Sequence, residues 1–360
     1  MPKILFIASH RLNRSPSQRY RFEQYFDFLT KNGFECHLSP IITEKDDAVF
    51  YKQGKLFQKG WILVKSIFTR IGDWKRFSDY DIVFVQREAL MIGSTFFEKK
   101  IAKSKAKFVF DFDDSIWLMD TSEGNKKFEW LKNPLKTAKN IALADRIFAG
   151  NDYLANYAKH YNTNVALIPT TIDTDFHKPL SLAKNNDKVT IGWSGSITTI
   201  KHFEYALPYL TKIKNKFQDR VEFVVMGDPS YVNEELSIKG VSWTAETEVK
   251  VLNSFDIGIM PLPDDEWAKG KCGLKGLSYM ACGVTTIMSP VGVNNDIIEH
   301  GVNGYLASSE EEWINCLSLL IEDTELRKRI GKNARKTIEE KYSVNANKEL
   351  YLNELNKLIK

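Results

Sequence analysis

Residues 108–116 read FVFDFDDSI, an apolar run that ends in three carboxylates, Asp111, Asp113 and Asp114. An Asp-x-Asp pair at the mouth of a buried strand has three chemical uses: chelating a divalent metal, handling a proton, or joining a structural network with arginine or backbone donors. Like charges this close raise at least one pKa, which suits proton handling. A second stretch, IGWSGSITTIKHF (191–203), delivers a strand into a Gly-Ser loop around Gly195 and Ser196, with a helix beginning near His202–Glu204. Loop N–H groups and a helix N-terminus favour a diphosphate, and Lys201 adds charge there. A third stretch runs from Gly270 to Ala307 and sets Lys271 and Lys275 around a Gly-rich turn at Gly273-Leu274. On spacing alone those two lysines read equally as solvated helix charges. In SPSQRYRF (15–22), Arg19 or Arg21 either reaches an anionic group or forms a salt bridge to Glu23 or a nearby aspartate.

The elements that must position these residues alternate short β-rich runs with helical periodicity, the pattern of α/β domains with parallel sheets. KILFIAS (3–9), FECHLSP (34–40), DIVFVQ (81–86), KFVFDF (107–112), RIFAG (146–150) and VALIP (165–169) form a first strand series. A polar linker (171–187) precedes a second: VTIGWSG (189–195), VEFVVMG (221–227), VSW (241–243), DIGIMPL (256–262) and VTTIMSP (284–290). SPVGVNNDII (289–298) reads as a further strand. Phe22, Tyr25, Phe26 and Leu29 fall at i, i+3, i+4, i+7 on the first helix. The expectation is two doubly wound, Rossmann-like domains, residues 1–170 and 171–343, with a helix over 344–360 crossing back to the first. Ligand is then expected in the cleft between them, beyond the carboxyl ends of the strands.

A chain of 360 residues with 43% hydrophobic and 27% charged residues has a soluble, two-domain composition. Its four cysteines, Cys36, Cys272, Cys282 and Cys316, show no metal-ligand spacing, which fits a reduced, cytoplasmic protein. MPKILFIAS reads as a first strand, and no stretch approaches the ~20 apolar residues of a membrane span. Charge is uneven: residues 1–168 carry 27 basic and 19 acidic residues, a net +8, against 23 and 27, a net −4, in the remainder.

The order of the Gly270–Ala307 stretch resembles the donor-binding domain of family 4 glycosyltransferases, which have the GT-B fold. ADRIFAGNDYLANY (144–157), IPTTIDTDFH (168–177) and EDTELRKRIGKNARKTIEEKYS (322–343) also sit where that family has counterparts. The resemblance implies a glycosyltransferase moving a sugar from a nucleotide sugar to a glycan or lipid-linked acceptor. Retention of anomeric configuration and a place in cell-surface polysaccharide biosynthesis, such as capsule or lipopolysaccharide, follow from it. It further implies donor binding by Gly195, Ser196, Lys201, Lys271, Gly273, Leu274, Lys275 and Ser278, with acceptor contacts from Arg19 and Arg21. Asp113 and Asp114 stand where the family commonly has a His-Asp pair touching sugar and acceptor, so they become the catalytic candidates. GT-B enzymes of this kind generally need no Asp-x-Asp metal, so neither metal nor cofactor is expected. The chain departs from the family at its Glu-x(7)-Glu, whose positions align with Gly270 and Ser278. The altered motif leaves two alternatives open: a non-catalytic nucleotide-sugar-binding protein, or a nucleotide-sugar epimerase on the same fold.

Residues 49–78 hold seven basic residues and one acid, Asp73, interleaved with Phe57, Trp61, Ile62, Val64, Ile67, Phe68 and Trp74. A basic, aromatic, amphipathic helix suits either an anionic membrane surface on the cytoplasmic side or packing on the first sheet with a solvated basic face. In the membrane reading, cations such as Lys59 and Lys65 meet the lipid. No recognised nucleic-acid module is present.

Overall fold

Uninterrupted apolar runs such as KILFIASH and KFVFDF can be covered only when both faces of a sheet are packed, which is the situation of a parallel sheet between helices. The computed structural model describes residues 1–52, 54–118, 130–181 and 187–359, so residues 182–186 of the expected linker lie outside the described residues. The chain divides into two units, Met1–Thr170 with Lys348–Lys360, and Thr171–Asn347.

In the first unit, β1 (Lys3–His10), β2 (Glu35–Ile42), β3 (Ile82–Gln86), β4 (Lys107–Phe112), β5 (Arg146–Ala149) and β6 (Val165–Leu167) form one sheet in the order β2-β1-β3-β4-β5-β6. Every pairing is parallel, with Phe6 opposite Phe84 and Phe84 opposite Val109. Phe6, Phe22, Phe26 and Phe84 pack ring on ring at 4.8–5.7 Å, which fixes the first helical segment on the sheet. That segment is a 3-10 turn, Glu23–Tyr25, followed by the helix Phe26–Lys31, which ends at Asn32-Gly33. Gly33 takes a positive φ of 87°, as a helix stop requires. In the last helix, Val344–Ile359, the buried face includes Tyr351, whose ring stacks on Tyr25 at 4.3 Å, as well as Leu352 and Leu355.

The second unit has β7 (Val189–Ser194), β8 (Val221–Met226), β11 (Ile257–Met260), β12 (Thr285–Met288) and β13 (Tyr305–Leu306) in a parallel sheet ordered β13-β12-β11-β7-β8. A two-stranded antiparallel hairpin, β9 (Val232–Asn233) with β10 (Ile238–Lys239), stands apart. Two expectations fail here. VSW makes only an isolated bridge from Val241 to Met226, because the chain has already turned through that hairpin. The stretch 289–298 is a turn and the short helix Asn294–Ile297; Asn294 Nδ2 donates to Ser289 O at 3.0 Å and holds it in place of a strand ladder. The strand on that side of the sheet is β13 instead.

Both sheets switch direction of connection beside their first strand, between β1 and β3 and between β7 and β11. Side chains following those strands therefore gather at a crevice at the carboxyl edge of each sheet.

Candidate active site

In the second unit, the penultimate residue of β7 is Trp193, whose ring is buried against Phe203 at 5.8 Å. Gly195 follows because a Cβ there would stand 2.1 Å from the Trp193 ring. Its N–H donates to Met226 O at 2.9 Å, and the Ser196 N–H donates to Thr199 Oγ1 at 2.9 Å. The expected amide cradle at Gly195–Ser196 is therefore corrected: the Gly195 N–H is engaged by the end of β8 and the Ser196 N–H by its own loop. The chain then makes a 3-10 turn, Ile197–Thr199, and a five-residue helix, Ile200–Glu204, carrying Lys201 exposed and His202 buried.

The Gly-rich turn reaches the same place. Gly273 takes a positive φ of 70° at the N-cap of the helix Leu274–Ala281, and a Cβ there would lie 2.3 Å from Ile297 Cδ1. Both constraints require glycine. The helix is anchored by Tyr279, whose hydroxyl accepts from the Ser194 N–H at 2.7 Å. Lys275 Nζ sits 5.5 Å from the centre of the Trp193 ring, and Lys271 Nζ lies 5.0 Å from that of Trp267. Leu274 is half-buried in the first helical turn beside Lys275.

His202 joins the two loops, and residue spacing alone did not single it out. Burial pushes its imidazole down to about 3, and the nearby charges of Lys275, Lys271 and Lys201 press it the same way, against Asp265. Lys201, Lys271 and Lys275 are therefore near enough for their charge to bear on His202. His202 Nδ1 and Trp193 Nε1 are buried there with no hydrogen-bond partner. Orphaned polar atoms beside concentrated positive charge are what a bound polyanion with its waters would satisfy. Ser278 departs from the donor-binding role implied by the resemblance: it is buried, and its hydroxyl donates to Leu274 O, one turn back, at 2.9 Å.

In the first unit the three carboxylates separate. Asp111 is wholly buried and meets Arg21, also without exposed side-chain surface, at 2.5 Å. Burial, the largest influence, raises the Asp111 pKa, while Arg21 opposes the rise. Arg21 also donates to the carbonyl of Ile168. The acceptor role for Arg21 is thus corrected to a core ion pair, because nothing in solution can touch it. Arg19 stays half-buried, its guanidinium 5.0 Å from the centre of the Tyr20 ring.

Asp113 and Asp114 keep some exposure and share Arg87, at 2.7 Å and 3.7 Å. Arg87 follows β3 with φ at 62°, a left-handed conformation uncommon outside glycine, and its N–H donates to Asp111 O at 2.7 Å. Such an outlier marks a residue held by its surroundings for its side chain. Burial disfavours the Arg87 charge, but Asp113 and Asp114 outweigh it and keep the guanidinium protonated.

Across the carboxyl edge, His10 closes β1. Its backbone N–H and C=O are clamped by the Gln18 amide at 2.7 and 2.8 Å, and its Nε2 lies 2.9 Å from the Tyr51 hydroxyl. Burial brings the His10 imidazole down to about 4. Arg11 and Arg14 both reach Asp47 nearby. Arg87 escaped the sequence reading because its partners Asp113 and Asp114 follow a different strand, and His10 read only as a loop residue after the first strand; a polar residue at the end of each central strand was the available signal.

Two parallel-sheet Rossmann-like units with these sites define the GT-B class. Residues 188–323, within the second unit, match the family described as Glycosyl transferases group 1. An uncharacterized glycosyltransferase of Methanocaldococcus jannaschii is 26% identical over 174 residues, which span 45% of this chain and 43% of that relative. Among solved structures, a sucrose-phosphate synthase from Thermosynechococcus elongatus superposes with a TM-score of 0.71 at 13% identity, covering 99% and 98% of the two chains. HepE of Anabaena, solved in complex with UDP-glucose, gives 0.66 at 13% identity, with 99% of each chain covered. At these identities the structural likenesses establish the fold.

Proposed function

We propose that this protein is a glycosyltransferase that moves a sugar from a nucleoside diphosphate sugar to a glycan or lipid-linked acceptor. The observation that carries the reading is that Lys201, Lys271 and Lys275 all act on buried His202, with Lys275 also beside Trp193, within the stretch that matches the group 1 glycosyl transferases. Three ammonium groups match the charge of a diphosphate, and they also match the charge that grows on it as the glycosidic bond breaks. HepE, a structural neighbour, binds UDP-glucose, which supports a nucleotide sugar as donor.

The reaction follows from this arrangement. The lysines hold the diphosphate and stabilise it as the leaving group, so the reaction runs without a divalent metal. The departing phosphate oxygen takes the acceptor proton on the same face of the sugar, which gives retention. Asp113 and Asp114, with Arg87 fixing them, recognise sugar and acceptor hydroxyl groups. Cell-surface polysaccharide biosynthesis, of capsule or lipopolysaccharide type, is the setting we assign to it.

Incubation with a panel of nucleotide sugars and candidate acceptors tests this. The expected result is nucleoside diphosphate release with one donor and transfer to the acceptor. Tight binding with no turnover would make the protein a nucleotide-sugar-binding module, and interconversion of donor epimers would make it an epimerase.

A further inference from the structure

The helix Leu56–Arg76 of the first unit is built inside out. Its buried side carries Lys59, Ser66, Arg70 and Asp73 together with Ile62. Arg70, with no exposed surface, donates to the carbonyl oxygens of Ala89 at 2.6 Å, Ala8 at 2.9 Å and Ser39 at 3.1 Å, and to Asp73 at 2.8 Å. Asp73 in turn accepts from the Ser39 hydroxyl at 2.7 Å. The polar face is thus used to satisfy carbonyls of β1, β2 and the loop after β3.

The apolar face points the other way. Phe57 is 90% exposed, Trp61 60%, Val64 38% and Phe68 69%. Their spacing of i, i+4, i+7 and i+11 places them in one stripe about 16 Å long. Past its end, Trp74 meets Phe96 edge-on at 5.6 Å, both partly exposed, and Lys100 Nζ stands 4.3 Å from the indole centre. A hollow of about 230 Å³ opens beside Phe57 and Trp61, with Lys45 and Val49 in its wall. A continuous exposed aromatic stripe of this kind marks an interaction surface.

Charge identifies the occupant. Lys45, Lys52, Lys55 and Lys75 are exposed around the stripe, whereas Arg76 turns to Asp73 at 2.8 Å. The single acid between residues 52 and 76, Asp73, is buried on the opposite face. The one carboxylate in the wall of the hollow, Asp46, is buried and held by Lys65, and aromatic side chains ringed by exposed cations complement an anionic lipid surface. A second copy of the same face would oppose lysine to lysine across a two-fold axis. We infer that this face docks the protein on an anionic phospholipid bilayer, with Phe57, Trp61 and Phe68 entering the acyl boundary. The surface differs from the one expected of the sequence: Lys59 is buried and Lys65 pairs with Asp46, so neither is a free lipid contact.

The inference does not rest on the donor assignment, and sedimentation of the full chain with vesicles tests it. Wild-type protein should pellet with phosphatidylglycerol–phosphatidylcholine vesicles at low salt, and this binding should fall steeply as salt rises. Each of F57S, W61S and F68S should weaken vesicle affinity roughly tenfold or more, with thermal unfolding and nucleotide affinity unchanged because these side chains lie on the surface. Wild-type protein left in the supernatant overturns the proposal. So does vesicle binding that the triple variant retains. A concentration-dependent dimer that the triple variant abolishes, without vesicle binding by wild type, would give the face to a second copy and overturn it as well.

Discussion

Arg21 and Asp111, ninety positions apart in sequence, meet as a buried ion pair, with the Arg21 Nε 3.1 and 3.3 Å from the two carboxylate oxygens. The pair ties the short helix after β1 to the end of β4, and the Arg21–Ile168 hydrogen bond extends the tie past β6. Removing one partner strands the other charge in the core. Arg21→Met should therefore destabilise the protein by about 3–5 kcal/mol, and Arg21→Met with Asp111→Asn should recover part of that loss. Urea unfolding of the two variants checks this; a single variant as stable as wild type would contradict the pairing.

Donor affinity should separate the charge-bearing positions from the merely adjacent one. Lys271→Ala and Lys275→Ala should each weaken nucleoside diphosphate binding by about 1.5–3 kcal/mol. Ser278→Ala should change it by less than about 0.5 kcal/mol, because the hydroxyl bonds Leu274 O. Calorimetry with UDP and GDP measures all three. Unchanged affinity in both lysine variants would remove the diphosphate from this site.

His202 reports on the same field from within. Burial and three lysines hold it near 3 in the free protein. A bound diphosphate cancels much of the lysine charge, so the imidazole pKa should rise on saturation, as read by NMR titration with and without nucleotide. A pKa indifferent to ligand would place the anion elsewhere.

The depressed histidines also make stability depend on pH. A folded pKa below the unfolded value of 6.5 means that the unfolded chain binds more protons below that pH. Stability should be complete above 6.5 and decline as pH falls toward about 4 for His10 and about 3 for His202. Each shift is worth a few kcal/mol at most. Substituting His10 by Asn should flatten the acid limb of a thermal-unfolding profile taken against pH.

Turnover should survive exhaustive chelation, since lysines supply the counter-charge of the diphosphate. Asp113→Asn should cut kcat by about 10²-fold or more while leaving nucleotide affinity in place, because Asp113 and the lysines belong to different units. Activity lost to chelator and restored by magnesium or manganese would return the carboxylates to metal binding.

The apolar runs determined the sheets. KFVFDF spans the whole of β4, and continuous burial of both faces leaves such a run no other stable arrangement. Gly273 was equally legible, since a turn into a helix with a left-handed cap calls for glycine. Residue types alone could not say which of three neighbouring aspartates is buried in the core and which keep some exposure; that depended on Arg21 and Arg87 arriving from distant parts of the chain. The aromatic spacing of the helix Leu56–Arg76 showed amphipathicity but not its direction. Carbonyls of Ala8 in β1, Ser39 in β2 and Ala89 after β3 needed donors, so Arg70 turned inward and the aromatics were left outside. His202 is an ordinary loop-to-helix residue in sequence. Only the folded chain surrounds it with charge from two loops about seventy residues apart, because electrostatics follows distance in space and not position along the chain.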